Sequence, residues 1–233
     1  MHPFGATWSV WFKINSPGDS NNLFRYRAFD ISSNATYLYV NLEGTNVLAL
    51  TIGGGPGGGS MGYGVTMAGF DETQWHLLVV TWSKNDLKVR CYMDGDLVLS
   101  STKLFPVDYH TGAVSASMMI DGGNGPVGPF ASASLDELSV WLGIIFDPNL
   151  RAGLYNGGTG IEYPFTEPPP NPSVCWKFDN SLTDSVLGIS MASPPGFTNY
   201  DFDTGKFGQA LHSLAAPGVM IVNTGPDSSL VIS

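Results

Sequence analysis

The sequence is short of charge, of basic residues above all, and of cysteine. Charged side chains make up 13% of the 233 residues, against about 25% in an ordinary soluble domain, so Ser, Thr, Asn and apolar atoms must cover the surface. Such a surface suits burial in an assembly and suits a glycine-rich extracellular module equally well. Ten Lys and Arg face twenty Asp and Glu, a formal net charge of -10, which removes the general attraction to phosphate backbones on which nucleic-acid binding rests. Two cysteines are too few for a disulfide framework. Cys91 alternates in phase with Leu87, Val89 and Met93 and falls on the apolar side of its strand. Cys175 shares a face with Lys177, opposite Val174, Trp176 and Phe178, and is expected to be the more exposed of two unpaired thiols. No run approaches the roughly 20 apolar residues of a membrane helix, and the opening Met-His-Pro-Phe-Gly-Ala-Thr-Trp carries no basic or apolar leader. Neither membrane insertion nor a secretory route is expected, and without that route the sequon Asn34-Ala35-Thr36 reads as a chance match.

What the chain does have is turn residues, with 29 Gly and 16 Pro. They divide it into short runs of Val, Ile, Leu, Thr and aromatics, the pattern of an all-β sandwich or barrel rather than of βαβ units. Strands are expected over 7–15, 23–30, 36–42, 47–52, 75–83, 87–93, 96–101, 117–120, 133–141, 174–178, 210–212 and 218–223. Asp94-Gly95 between two of these is a two-residue hairpin connection. One short surface helix is expected from Asp147 to Gly157, with Asp147 as cap, Pro148 at the first helical position and glycine after the last turn. Residues 161–173, rich in proline, read as a semi-rigid linker. The glycines from Gly53 to Gly64 lack the helix start and the lysine of a phosphate loop and read as a flexible loop between strands. The histidines His2, His76, His110 and His212 have no metal spacing, and no serine or cysteine stands in a nucleophile motif. His76 reads as a structural strand residue.

Several blocks together resemble the laminin-G-like, concanavalin A-like family. Val174-Cys175-Trp176-Lys177-Phe178-Asp179-Asn180-Ser181-Leu182-Thr183-Asp184, followed by Gly205-Lys206-Phe207-Gly208-Gln209-Ala210-Leu211, resembles the opening of that domain, although it stands near the end of this chain. Ala6 to Lys13, with Trp8 and Trp11, resembles the next strand. Gln74 to Trp82, the Tyr92-Met93-Asp94-Gly95 hairpin, the Leu135-Asp136-Glu137 strand and the Asp147 to Tyr155 helix follow in the family's order. The resemblance therefore implies a single jelly-roll sandwich of two antiparallel sheets over residues 1–233, circularly permuted. Residues 1–160 supply the later strands, 161–173 the junction and 174–233 the opening strands. The last segment completes either its own sandwich or that of an adjacent copy; the length of the linker and intramolecular closure favour the first.

The family also implies, in many members, a calcium ion. The positions that carry this over are Asp136 and Asp184, with Asp179 and Asn180 beside them, because calcium takes several oxygen ligands; the competing reading is that these are turn residues bonded to the backbone. Hydrolases of this fold use a Glu-x-Asp-x-x-Glu strand, since retaining hydrolysis needs two carboxylates about 5 Å apart. Ser134, Asp136 and Ser139 occupy those places, and simple alternation puts Glu137 on the opposite face from Asp136, so no enzyme is expected. The expected function is a non-catalytic interaction module, a decoration protein on a virion surface whose partners are like subunits or capsid and tail proteins. The alternative is an extracellular carbohydrate-binding module, with Trp82, Trp141, Tyr63 and Tyr26 as candidate sugar-stacking aromatics.

Overall fold

A computed structural model describes residues 5–15, 21–29, 35–43, 46–54, 60–83, 85–86, 88–101, 115–120, 133–166, 168–191, 200–213 and 220–224. Among them are fourteen strands and one α-helix. Sheet A runs β12 (Tyr200–Thr204), β13 (Gln209–Ser213), β10 (Ala133–Leu142), β1 (Gly5–Ile14), β6 (His76–Ser83), β7 (Lys88–Met93), β8 (Asp96–Ser100). An eighth strand, β11 (Val174–Trp176), also pairs with β10. Sheet B runs β14 (Met220–Thr224), β9 (Ser115–Ile120), β2 (Asn21–Phe29), β3 (Ala35–Glu43), β4 (Val47–Gly54), β5 (Ser60–Thr66). Every pairing is antiparallel, and the two sheets form the expected sandwich.

Period-two alternation explains the core. From sheet A, Trp8, Val10, Phe12, Leu135, Leu138, Val140 and Trp176 meet Leu38, Val40, Leu42, Leu48, Leu50 and Ile52 from sheet B, all nearly or wholly excluded from solvent. The alternate residues of sheet A do not face water. Trp11, Leu77, Val79, Tyr92 and Trp141 form a second apolar cluster with Phe146 and Leu154 on the outer face. The helix α1 (Pro148–Tyr155) contributes to its cover: Asp147 caps it by accepting from Leu150 N (2.9 Å), and Asn156 closes it in the left-handed conformation. Arg151 anchors it, donating to the Phe146 carbonyl (2.6 Å) with its guanidinium 3.7 Å from the centre of the Tyr92 ring.

Two strands were not foreseen, β5 and β12. Gly53 and Gly54 close β4, and Ser60 to Gly64 pair back onto it, so the glycine-rich segment is a hairpin arm rather than a loop; its residues 55–59 lie outside the described set. The proline-rich stretch is packed rather than free. Trp141 Nε1 donates to the Pro170 carbonyl (2.7 Å), Phe165 stacks on Trp141 at 6.1 Å, and Pro169 and Pro172 are buried. Asp94 and Gly95 both take positive φ (54° and 91°), as a tight hairpin turn requires.

Within this chain the C-terminal strands complete sheet A, for β11 and β13 lie along the same edge of β10. Trp176, from β11, is fully buried in the core. Trp176→Ala is expected to cost about 3–5 kcal/mol, read as a lowered midpoint in urea unfolding followed by circular dichroism.

Candidate functional site

The carboxylates singled out from sequence lie on β10 and on the segment that closes over it. Trp11 pairs with Asp136 and Ser9 with Ser139, so one residue of β1 faces two of β10, a β-bulge at Glu137, whose φ is +49°. The extra residue overturns simple alternation. Leu135 and Leu138 both enter the core, while Asp136 and Glu137 are both directed away from it and are both buried. The bulge falls in the gap left along β10 between β13, paired at Ser134 and Leu135, and β11, paired from Leu138 to Val140.

Each carboxylate is committed to the chain itself. Asp136 accepts from Glu137 N and from Phe207 N, both at 2.8 Å. Asp179 accepts from Gln209 N (2.8 Å) and pairs with Lys177 (3.3 Å), which also pairs with Glu162. The two aspartates thus hold the 205–209 turn from both ends. Gly205 and Gly208 leave no room for a Cβ there, because it would run into the carboxylates of Asp136 and Asp179 respectively. Asp184 is buried and caps its own turn, accepting from Cys175 N (2.5 Å), Val186 N (3.1 Å) and Leu187 N (2.5 Å). Asn180 is exposed with φ +54°, the geometry of a turn residue. Among the described residues, no group of three or more His, Cys, Asp or Glu side chains is disposed to hold a metal ion, and these four do not fit a shared calcium cage: Asp184 in particular is turned onto three backbone donors.

Cys175, expected to be the more exposed thiol, is buried. It does take the outer face, but Ser139, Glu137 and the overlying segment cover it: Ser139 Oγ donates to its sulfur (3.2 Å), and Glu137 Oε2 lies 3.5 Å away and also accepts from Tyr163 N (3.3 Å). Burial pushes the Cys91 thiol up to about 12 and raises that of Cys175 as well, so neither is a nucleophile.

An open site lies elsewhere, between the edges of the two sheets. A groove of about 640 Å³ is walled on one side by Val65 to Asp71, from the end of β5 onward, and on the other by Met93, Asp94 and Asp96 to Val98 of the β7–β8 hairpin, with His76 between them. Asp96 and Leu97 are exposed, and Phe70 is half-buried. Asp94 Oδ1 accepts from Leu77 N (2.9 Å), and Asp94 Oδ2 meets His76 Nδ1 at 2.6 Å. The other ring nitrogen, Nε2, lies 2.8 Å from the Asp71 carbonyl, and the Phe70 ring is centred 4.1 Å from the imidazole. Burial alone would lower the His76 pKa, but the Asp94 carboxylate and the Asp71 carbonyl outweigh it and the net shift is upward. The Thr73 hydroxyl and amide hold the exposed Asp71 carboxyl below its ordinary value. Of the four candidate aromatics, Trp82 and Trp141 are core residues, Tyr63 is half-buried against the core on β5, and the side chain of Tyr26 lies outside the described set. Sequence reasoning missed the groove because Phe70 and Asp71 come from the connection after β5 and Asp96 from the start of β8; the Asp-Gly hairpin and the Trp75-His76 pair were the local signals.

Residues 3–145 match a laminin G family model described as the concanavalin A-like lectin/glucanases superfamily. The chain belongs to that superfamily. The match takes in β1 to β10, so β11 to β14 lie beyond it. No curated protein matches this superfamily member in sequence. Among solved structures it is similar to the enzymatically active domain of tailspike protein 2 from bacteriophage CBA120, at 13% identity and a TM-score of 0.52 over 77% of this chain and 27% of that one. The sialidase module CBM40 of Ruminococcus gnavus, bound to α2,6 sialyllactose, is 13% identical at a TM-score of 0.46, covering 65% of this chain and 83% of that one. A heptameric pentraxin of Limulus polyphemus is 14% identical at 0.47, covering 99% and 87%. At such identities the likeness is one of fold.

The buried pair on the bulge makes stability depend on pH. Burial, with the Glu137 and Asp179 carboxyls adding to it, pushes Asp136 up to about 8; burial, with Glu162 adding to it, pushes Glu137 up to about 7. Both exceed the values near 4 of an unfolded chain. The folded state therefore holds these protons more tightly, a stabilisation present in full below about pH 4 and lost as pH rises through about 7 and 8. The thermal midpoint should fall between pH 5 and pH 9, and Asp136→Asn should flatten that fall in a melting series.

Proposed function

We propose that the protein is a non-catalytic saccharide-binding module whose site is the groove between β5 and β8. The observation that carries this is the pairing, in one open groove of about 640 Å³, of the carboxylates of Asp71 and Asp96 with an apolar wall of Met67, Phe70, Leu97 and Val98. Carboxylates accept from sugar hydroxyls and an apolar wall receives the C–H faces of the ring, and the volume falls within the roughly 300–1,000 Å³ of small-ligand sites. Hydrolysis is disfavoured by the carboxylates themselves. Ser134 and Ser139 stand where the hydrolases carry glutamates, and Asp136 and Glu137 are buried under the 205–209 turn and Tyr163 rather than open to a substrate. Calcium has no part in the groove, and the carboxylates first considered for it are supplied with backbone donors.

The circularly permuted order belongs to the same reading. Its support is that β11 and β13, which carry the motifs expected at a domain's opening, pair with β10 of the same chain beyond the residues matched to the family. A second reading, a decoration module that binds neighbouring subunits on a virion, draws on a low charge fraction that suits burial in an assembly as well as it suits the first reading. Native mass spectrometry or light scattering separates it: a strict monomer with no co-purifying particle counts against it.

A glycan array run with calcium and again with chelator tests the first reading. Binding is expected under both conditions, weakened about tenfold or more by Phe70→Ala and by Asp96→Ala, each removing about 1.4 kcal/mol or more. A blank array under both conditions rejects it, and binding abolished by chelator rejects the part that leaves calcium out.

A further inference from the structure

We infer that His76 is a positioning residue of this groove, a doubly protonated strut whose two N–H bonds tie one wall to the other and whose loss of a proton loosens them. The inference rests on the groove being the binding site. It is argued from geometry. Nδ1 lies 2.6 Å from a carboxylate oxygen of Asp94, in the turn of the β7–β8 hairpin, and Nε2 lies 2.8 Å from the carbonyl of Asp71, in the segment after β5. A carboxylate and a carbonyl can only accept. A neutral imidazole has one N–H and one lone pair and can satisfy only one of them. Both contacts at hydrogen-bond length therefore require the imidazolium. In the neutral ring a lone pair would face an oxygen on one side, and that wall would be held only by its remaining contacts.

The surroundings agree. The 67–75 segment presents the Phe70 ring at 4.1 Å and Asp71, the hairpin presents Asp94, and β1 presents the uncharged Phe12 ring at 6.0 Å. The charged groups that act on His76 are Asp94 and Asp71, both favouring the cation. The cation of β1, Lys13, lies over Trp75, 5.6 Å from its ring centre. The rest of each wall is anchored independently, the hairpin through Asp94 to Leu77 N and the 67–75 segment through Met67 N to the Asn46 carbonyl and Ile14 N to the Glu72 carbonyl. Losing one bond therefore releases a wall without unfolding it. The sign follows directly: a histidine held above its unfolded value near 6.5 contributes fully below that pH, and the contribution fades as pH rises through the higher folded value.

The test is nitrogen NMR of the histidine rings in the full chain, together with amide exchange from pH 5.5 to 8.5. The expected result is that both ring nitrogens of His76 are protonated at pH 6, with a midpoint above 6.5. Amides in 67–71 and 93–97 should exchange at least tenfold faster, beyond the intrinsic rise, as the proton leaves. Asp94→Asn should move the midpoint downward, and His76→Gln should abolish the step while circular dichroism stays unchanged. A single neutral tautomer at pH 6, a midpoint at or below 6.5, or exchange that ignores the titration overturns the inference. None of these readouts needs a ligand, so a blank glycan array would reject the saccharide reading and leave the strut standing. If the array is positive, the bound saccharide should lose affinity across the same pH step in the parent and not in His76→Gln.

Discussion

The structure depends on the completion of β10. Nine of its ten residues are buried, and it is paired on both sides: with β1 along one edge, and with β13 and then β11 along the other. The first edge is supplied by the start of the chain and the second by residues well over thirty positions later. A strand with this composition cannot rest at a sheet edge in water, where unpaired N–H and C=O groups and apolar faces would both be open. Trp176 and Val174 enter the core because the backbone pairing of β11 carries them there. The cover of the outer face follows, since the segment leading from β10 through α1 to β11 has to cross it.

The fold class, the order of most strands, the helix with its capping aspartate and the Asp-Gly hairpin were legible in the sequence, because each depends on local signals. Period-two alternation sorted Cys175 correctly onto the face of Lys177. It could not show that the face was covered, since what lies over a sheet is decided by chain far away in sequence. The β-bulge defeated the same rule at Glu137: one inserted residue shifts every later assignment, and nothing in Leu135-Asp136-Glu137-Leu138 distinguishes a bulged strand from a regular one. β5 was obscured by glycines that pair as a strand while scoring as turn formers.

The carboxylates illustrate a related difficulty. Aspartates near glycines read equally well as cation ligands and as backbone acceptors, and the choice rests on whether N–H groups arrive first. Here they do. Phe207, Gln209, Cys175, Val186 and Leu187 each donate to one of Asp136, Asp179 and Asp184. The groove was less legible still, for its walls come from two turns and the space between them belongs to neither. His76 stands on a strand as expected, but its two partners could not be named from sequence.

The bulge has a consequence for synthesis. On a ribosome, β1, β6 and β10 emerge well before residues 174–213, so the free edge of β10 must wait for its last neighbours, and non-local pairing of this kind is slow and open to misassembly. In that interval Asp136 and Glu137 would stand in water as two negative charges on an otherwise uncharged strand, which is a recognised means of discouraging strands from pairing with the wrong chain. When the later segments arrive, Asp136 becomes the acceptor of Phe207 N in the 205–209 turn, Glu137 that of Tyr163 N, and both are buried. The pair would then guard the unfinished sheet and later lie buried in the finished one, and the upward shift of both pKa values in the folded chain reflects the cost of taking their charge out of water.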